Sequence, residues 1–262
     1  MWLDFVRAAS AACPGAAAHG DLAEGFSAEG DVDLLVARGE WPCLEEVFAQ
    51  WAERHGLMPA LSCRHRAGVL VLVAVGPHDV FYEVEARAER FFRGARLFSA
   101  EDFGALAIDD PAGFRRLRPG AAGIVKLFPS GLGRLGRPAW RGAKLDRVRR
   151  LLAEDRDGAE RAAGLLGLAA RPARSGAAAV AAGGWNRRAM LAVEAMCAAS
   201  ALLRLPTLVA RARFRFGAER DCVILRAVRE HGRRIPGDRA GWLAEAAATH
   251  PILDTRPRCE GA

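Results

Sequence analysis

Two apolar runs joined by a short turn constrain the fold of this chain more than any other feature. Residues 68–75 read GVLVLVAV, and residues 80–86 read VFYEVEA. Runs of this length that are rich in valine are typical of β-strands. Residues 76–79, Gly-Pro-His-Asp, form a turn sequence between them. The stretch therefore predicts a β-hairpin.

The segments before the hairpin alternate between helix and strand signals. Residues 2–12 suit a short helix, and residues 32–36 form an apolar run of strand length. A second helix is predicted from Trp41 to about His55, because its apolar residues recur at helical spacing and Pro42 stands in its first turn. The order helix, strand, helix, strand, strand predicts a small mixed sheet with helices packed on it.

After about residue 105 the signals become helical. Helices are predicted over residues 120–128, 144–154, 158–169, 187–203, 220–231 and 240–249. Residues 171–184 contain Pro172, Ser175 and a glycine pair, and this composition favours a loop or linker. The predicted class is α+β, with an α/β domain over residues 1–110 followed by a helical domain over residues 111–262.

Composition sets broad limits on function. The chain has 262 residues, 51% of them hydrophobic, and a formal net charge of +7. A sizeable core can form, and the positive charge is compatible with an anionic partner such as a nucleotide or RNA. Nearly all of the basic residues are arginine, since lysine occurs only at positions 126 and 144. This bias is equally explained by a GC-rich coding sequence.

The cysteines and the apolar segments indicate a reduced, cytoplasmic protein. The six cysteines are far apart, with no metal-ligand spacing, and are predicted to be core or surface residues. The N-terminus is a poor signal peptide. The apolar stretch 189–203 is interrupted by Glu194 and is too short to span a bilayer. No membrane association is therefore expected.

Acidic residues are concentrated at the predicted sheet. Asp31 and Asp33 flank Val32 at the start of the first strand, and Glu83 and Glu85 alternate with apolar residues on the later one. Side chains two apart on a strand share a face, and two such carboxylates repel each other unless a cation lies between them. Mg²⁺ accepts carboxylate and phosphate oxygens as ligands. The pattern predicts a binding site for a metal-bound triphosphate. The alternative is a strand end whose carboxylates are simply solvated.

The sequence HGD, nine further residues, and DVDLLV resembles the DNA polymerase β-type nucleotidyltransferase superfamily. That family has an apolar residue, Gly, and Gly or Ser, then a spacer, then Asp-x-Asp or Asp-x-Glu, with a third Asp or Glu on a following strand. The continuation over residues 114–152 is similar to bacterial members of the toxin-like and polysaccharide-cluster kind. Asp21 departs from the pattern because it stands where the family has serine, and the third acid is Glu rather than the more frequent Asp.

The resemblance implies a Mg²⁺-dependent enzyme that transfers a nucleotidyl group from ATP or another nucleoside triphosphate to an acceptor hydroxyl. It assigns the metal and catalytic roles to Asp31, Asp33 and Glu85, with Glu83 as the alternative to Glu85. Gly20 and Asp21 would lie beside the nucleotide, and Lys126 would neutralise its phosphates. RNA, protein or a small molecule remain open as acceptors.

Two other functions are consistent with the sequence. The first is a nucleotidyltransferase fold that has lost catalysis and acts as a binding module, which the aspartate at position 21 favours. The second is an arginine-rich RNA-binding protein in which the acidic pair has no role. Arginines alternate with Phe214 and Phe216 over residues 211–216, a pattern that suits either base stacking or an edge strand.

Overall fold

Two compact units make up the chain. The computed structural model describes residues 1–19, 31–66, 68–203 and 237–253, together with residues 208, 209, 212, 222–224, 227 and 235. The first unit comprises Met1–Ala88, Ala112–Phe114 and Arg213–Ala262. The second comprises Glu89–Pro111 and Arg115–Ala212. Both units mix helices and strands.

The described elements are as follows. The strands are β1 Ala17–Ala18, β2 Asp31–Leu35, β3 Ala60–Arg66, β4 Val69–Val75, β5 Phe81–Arg87, β6 Glu89–Phe92, β7 Ala95–Ser99, β8 Ala107–Asp110 and β9 Phe114–Leu117. The helices are α1 Trp2–Ala12, α2 Trp41–Arg54, α3 Ala100–Gly104, α4 Pro119–Lys126, α5 Ala143–Glu154, α6 Arg156–Gly164, α7 Ala170–Ala181, α8 Arg187–Leu202 and α9 Arg239–Thr249. No helix in these ranges combines the length and apolar character that crossing a bilayer requires.

The sheet of the first unit is mixed, as the sequence predicts. Its strands follow the order β3-β4-β5-β2-β1. Strands β4 and β5 pair antiparallel from Val69 opposite Arg87 to Val75 opposite Phe81, which confirms the predicted hairpin. Strand β2 pairs with β5 in parallel, and the pairs β3–β4 and β1–β2 are antiparallel. The strand expected over residues 32–36 is therefore internal to the sheet.

Helices α1 and α2 cover one face of this sheet. They bury an aromatic cluster in which Trp2 and Trp51 stack with ring centroids 4.8 Å apart, and Phe5 meets Phe48 edge to face at 5.6 Å. Alternate residues of β4 and β5, including Val84, join the same core. Both helices have the bounds that apolar spacing predicts, and Pro42 stands in the first turn of α2, where no backbone donor is needed.

The other face of the hairpin packs against the C-terminal part of the chain. Val71, Val73 and Phe81 share a buried cluster with Ile224 and with Trp242 of α9. Every residue of β4 is buried as a result. A strand that is buried on both faces needs a continuous apolar run, which explains the composition of residues 69–75.

Helices α4 to α8 form most of the second unit, together with the β6–β7 pair and the neighbouring strands β8 and β9. Two predictions are wrong here. Residues 171–184, predicted as a loop, largely form α7, and Pro172 falls in its first turn, where proline is tolerated. Strands β6 to β9 are not predicted from the sequence, because each has only four or five residues and no clear alternation of apolar and polar residues.

The division of the chain differs from the predicted ranges 1–110 and 111–262. The helical character of α9 suggested that it continues a helical domain, but residues 213–262 belong to the first unit. The helix predicted over residues 220–231 falls largely outside the described residues. Local signals indicate which segments are helical, whereas the return of the C-terminus depends on apolar surface that β4 leaves uncovered.

Candidate functional site

The acidic residues of β2 and β5 lie in register on neighbouring strands. Asp31 is opposite Glu83, and Asp33 is opposite Glu85, in the parallel pairing of the two strands. The sequence predicts that these strands are adjacent, and the pairing confirms it. Partners in a parallel ladder project from the same face of the sheet. The four acidic positions, Asp31, Asp33, Glu83 and Glu85, therefore lie together on one face and are called the acidic row below.

Burial agrees with this arrangement. Asp33 is half-buried between the buried residues Val32 and Leu34. Glu83 and Glu85 are half-buried, whereas Val84 between them is fully buried on the side of α1 and α2. Asp33, Glu83 and Glu85 are thus partly accessible to solvent at the surface of the sheet. A site that binds a small, charged ligand has this combination of access and support from regular structure.

Arg87 continues the acidic face along β5. Its Nη2 donates to Glu85 Oε2, and the side chains of the two residues are only 13% and 15% exposed. A charge-assisted contact at this depth is stronger than one in open solvent. Because Arg87 is already beside Glu85, any cation that binds Glu85 must share or replace that contact.

His19 extends the row on the opposite side of Asp33. Ala17 and Ala18 of β1 pair with Leu35 and Leu34, and the backbone N–H of His19 donates to the carbonyl of Asp33 at 3.1 Å. The side chain of His19 is buried, at 4% exposure. Its backbone contact fixes the position from which the chain enters residues 20–30.

The other predicted ligands are not brought to this row by described contacts. Gly20 and Asp21 lie outside the described residues, as does the side chain of Asp31, although its backbone belongs to β2. Lys126 is the last residue of α4 in the second unit and is half-buried. The roles predicted for these four residues stay predictions.

The chemistry of the row fits a hard divalent cation. Its donors are carboxylate oxygens, which Mg²⁺ prefers, and two neighbouring strands supply them on one face. A two-metal site needs the carboxylates of Asp31, Asp33 and one glutamate to converge to about 4–6 Å. This convergence stays a prediction, because the side chain of Asp31 is not described.

A different group of ligand-type atoms does converge among the described side chains. The thiols of Cys63 and Cys222 and Nε2 of His250 all lie within 4.8 Å of one another. The sequence predicts ordinary core or surface roles for these cysteines. Spacing along the chain gives no sign of the group, because Cys63 and Cys222 are 159 residues apart.

Comparison with known proteins adds no assignment. No protein family, no curated protein and no solved structure matches this chain.

Proposed function

We propose that this protein is a Mg²⁺-dependent nucleotidyltransferase that acts in the cytoplasm on a nucleoside triphosphate and an acceptor hydroxyl. The observation that carries the proposal is the register of β2 and β5, in which Asp31 meets Glu83 and Asp33 meets Glu85 on one face. The resemblance of residues 19–36 to the DNA polymerase β-type superfamily supplies the reaction class.

Each residue of the row has a distinct role in the proposed reaction. Asp31 and Asp33 hold the metal with their carboxylates, and Glu85 is the third ligand, with Glu83 as the alternative. When bound there, Mg²⁺ neutralises phosphate charge and lowers the pKa of the acceptor hydroxyl. Gly20 lets the backbone approach the triphosphate, and Asp21 lies beside it.

The bonds that change follow from the reaction class. The acceptor oxygen forms a bond to the α-phosphorus, and the bond from that phosphorus to the pyrophosphate oxygen breaks. The acceptor proton passes to a carboxylate of the row or to solvent. The acceptor itself, whether RNA, protein or a small molecule, is selected outside the row. The row therefore explains the chemistry and not the specificity.

A transfer assay tests the proposal. Purified protein is incubated with Mg²⁺, cell extract and each α-labelled nucleoside triphosphate, and label is followed in RNA, protein and small-molecule fractions. We expect label in one fraction with wild type, and a loss of at least about 100-fold with Asp33→Asn, since a lost metal ligand removes several kcal/mol of transition-state stabilisation. Asp109→Asn, at an exposed aspartate, is the matched control.

Glu85→Gln and Glu83→Gln separate the two candidates for the third ligand. We expect the first to abolish transfer and the second to reduce it weakly, with Glu53→Gln as the exposed control. Thermal melts give a second readout, because Mg²⁺ with nucleotide should stabilise wild type by mass action and leave Asp33→Asn unchanged. Equal melts for both proteins with and without ligands would exclude Asp33 as a ligand.

A binding module without catalysis is the second candidate. The contact of Arg87 with Glu85 favours it, because an internal cation beside the third acid removes the need for a metal. Asp21 favours it as well, since a carboxylate replaces the serine that the superfamily places beside phosphate. Calorimetry with ATP and Mg²⁺ distinguishes the two: a nucleotidyltransferase shows metal-dependent nucleotide binding, whereas the module shows none.

A further inference from the structure

Three potential ligand atoms meet on the face of the first unit that the C-terminal part covers. The Sγ atoms of Cys63 and Cys222 are 3.2 Å apart. Nε2 of His250 lies 3.9 Å from the first thiol and 3.6 Å from the second. These residues come from the middle of β3, from residue 222, and from the position that follows α9. Three separate segments thus converge on one point.

The spacing suits a shared metal ion. A tetrahedral ion with bonds of about 2.0–2.3 Å to sulfur and nitrogen separates its ligand atoms by about 3.3–3.8 Å. The three observed distances, 3.2, 3.6 and 3.9 Å, bracket that range. A disulfide would instead bring the two sulfurs to about 2.05 Å, and none of the described cysteines is in one.

The surroundings select the kind of metal. Cys63 and Cys222 are buried, at 1% and 3% exposure, within the apolar cluster that contains Trp242. Thiolate and imidazole ligands favour Zn²⁺ over Mg²⁺, because the larger, softer sulfur donors match a softer cation. Two thiolates also bring compensating negative charge to a cation in an apolar site, which would otherwise be costly to bury.

We propose that Cys63, Cys222 and His250 form a zinc site that fastens the C-terminal segment to the sheet of the first unit. His250 is only partly buried, which leaves a side where a fourth ligand, water or a further residue, can complete the tetrahedron. Zn²⁺ binding releases the two thiol protons and makes two Zn–S bonds and one Zn–N bond, with no change of oxidation state.

Neighbouring backbone contacts show what the ion would hold. The N–H of Ser62 donates to the carbonyl of Pro251 at 3.0 Å, and the N–H of Leu253 donates to the carbonyl of Ala60 at 2.9 Å. These bonds place residues 251–253 beside β3, which is an edge strand of the sheet. A zinc ion at His250 would fix the same junction covalently and protect the edge from other strands.

The proposed site shares a face with the acidic row. Cys63 is opposite Val71, and Val71 is opposite Glu85, so the two sites lie two strands apart, about 10 Å at the usual strand spacing. The zinc would therefore hold the C-terminal segment at the border of the acidic row. This inference does not depend on nucleotidyl transfer, since the cluster and the row use different residues.

Metal analysis of the purified full chain is the direct test. Elemental mass spectrometry should find one equivalent of zinc per chain in wild type. That zinc should be lost in Cys63→Ser, Cys222→Ser and His250→Ala. Cys197→Ser is the matched control. Cys197 is also buried, and burial raises the pKa of its thiol to about 11, so it stays protonated and should leave the zinc content unchanged.

Cobalt substitution keeps the test valid if the variants fail to fold. Co²⁺ added to chelator-treated wild type should give a thiolate-to-metal charge-transfer band and the visible spectrum of a tetrahedral site. Chelation should also lower the Tm of wild type and of Cys197→Ser. Absence of zinc together with absence of the cobalt bands overturns the proposal. A mass two hydrogens lower without reductant, which indicates a Cys63–Cys222 disulfide, overturns it as well.

Discussion

Asp155 is the residue whose removal should most clearly destabilise the second unit. It precedes α6, and its carboxylate accepts from the backbone N–H of Gly158 at 2.9 Å as the N-cap of that helix. The same carboxylate accepts from Nε and Nη2 of Arg118, at 3.1 and 2.6 Å. It also accepts from the N–H of Gly120 in α4, at 3.1 Å. One side chain therefore joins the starts of two helices.

The magnitude follows from these contacts. Loss of a helix cap costs about 1 kcal/mol, and loss of hydrogen bonds to a charged group costs about 1.5–3 kcal/mol. Asp155 is 12% exposed, so solvent replaces little of what is lost. We expect Asp155→Ala to lower the free energy of unfolding by about 3 kcal/mol. Asp155→Asn, which keeps a cap acceptor but not the charge, should lower it by about 1–2 kcal/mol.

The loss should depend on pH in a defined direction. Burial raises the pKa of Asp155, but hydrogen bonds from Arg118, Gly158 and Gly120 outweigh burial and hold the pKa below its usual value of 3.8. A carboxyl whose pKa is lower in the folded state stabilises the fold above its unfolded pKa and loses that contribution as pH falls through the folded pKa. The difference between wild type and Asp155→Ala should be constant near neutral pH and shrink below about pH 3.8.

Denaturant unfolding at pH 7 and at a series of acidic pH values measures both effects. Asp157→Ala is the matched control, since Asp157 also contacts Arg118, at 2.9 Å, but is 68% exposed. We expect this control to cost less than about 0.5 kcal/mol, as exposed pairs usually do. If the two alanine variants lose the same stability, the network around Asp155 does not hold the helices together.

Two further substitutions test close packing and charge repulsion. Gly120→Ala should destabilise the second unit by about 3 kcal/mol or more, because the added Cβ would lie 2.0 Å from the carbonyl oxygen of Asp155. Gly104→Ala is the control in the same unfolding assay and should be nearly neutral, because nothing lies within 4 Å of its added Cβ. Asp33→Asn should raise the free energy of unfolding without Mg²⁺ by about 0.5–1 kcal/mol, most at low salt, because it relieves repulsion among the acids. If Asp33→Asn and wild type have the same free energy of unfolding at every salt concentration, this prediction is wrong. Asp109→Asn is the control.

The centre of the first unit was predictable because its signals are local. The hairpin follows from two apolar runs and a turn, and α2 follows from apolar spacing with Pro42 in its first turn. The adjacency of β2 and β5 is predicted from chemistry, since carboxylates on two strands can share a metal only if those strands are neighbours, and the structure adds that the pairing is parallel. Local pattern and site chemistry thus agreed on one arrangement.

Strand β3 shows why other elements could not be predicted. Its sequence, ALSCRHR, has no simple alternation of apolar and polar residues, and two of its polar side chains bond to one carboxylate. Ser62 Oγ donates to Glu45 Oε1 at 2.6 Å, and Arg64 Nη2 donates to the same oxygen at 3.1 Å. The partner lies in α2, so only the tertiary structure explains the strand. The cluster of Cys63, Cys222 and His250 escapes prediction for the same reason.

Arg87 provides a test that separates an active acidic row from an inactive one. Its contact with Glu85 stabilises the row without metal, and a Mg²⁺ ion bound to Glu85 would compete with it. Arg87→Gln should therefore destabilise the metal-free protein and increase Mg²⁺ affinity by about tenfold, because a charge-assisted hydrogen bond contributes about 1.5–3 kcal/mol and 1.4 kcal/mol equals a tenfold change.

Melts across a Mg²⁺ titration measure the two opposite shifts in one experiment. Arg54→Gln is the control, since it breaks an exposed contact with Asp4, at 3.9 Å, in the same unit and should change neither quantity by much. Lower stability with no gain in Mg²⁺ affinity would mean that Arg87 is the permanent counter-ion of Glu85. In that case Arg87 and Glu85 form a structural ion pair, and Glu83 is the remaining glutamate that a metal at Asp31 and Asp33 can use.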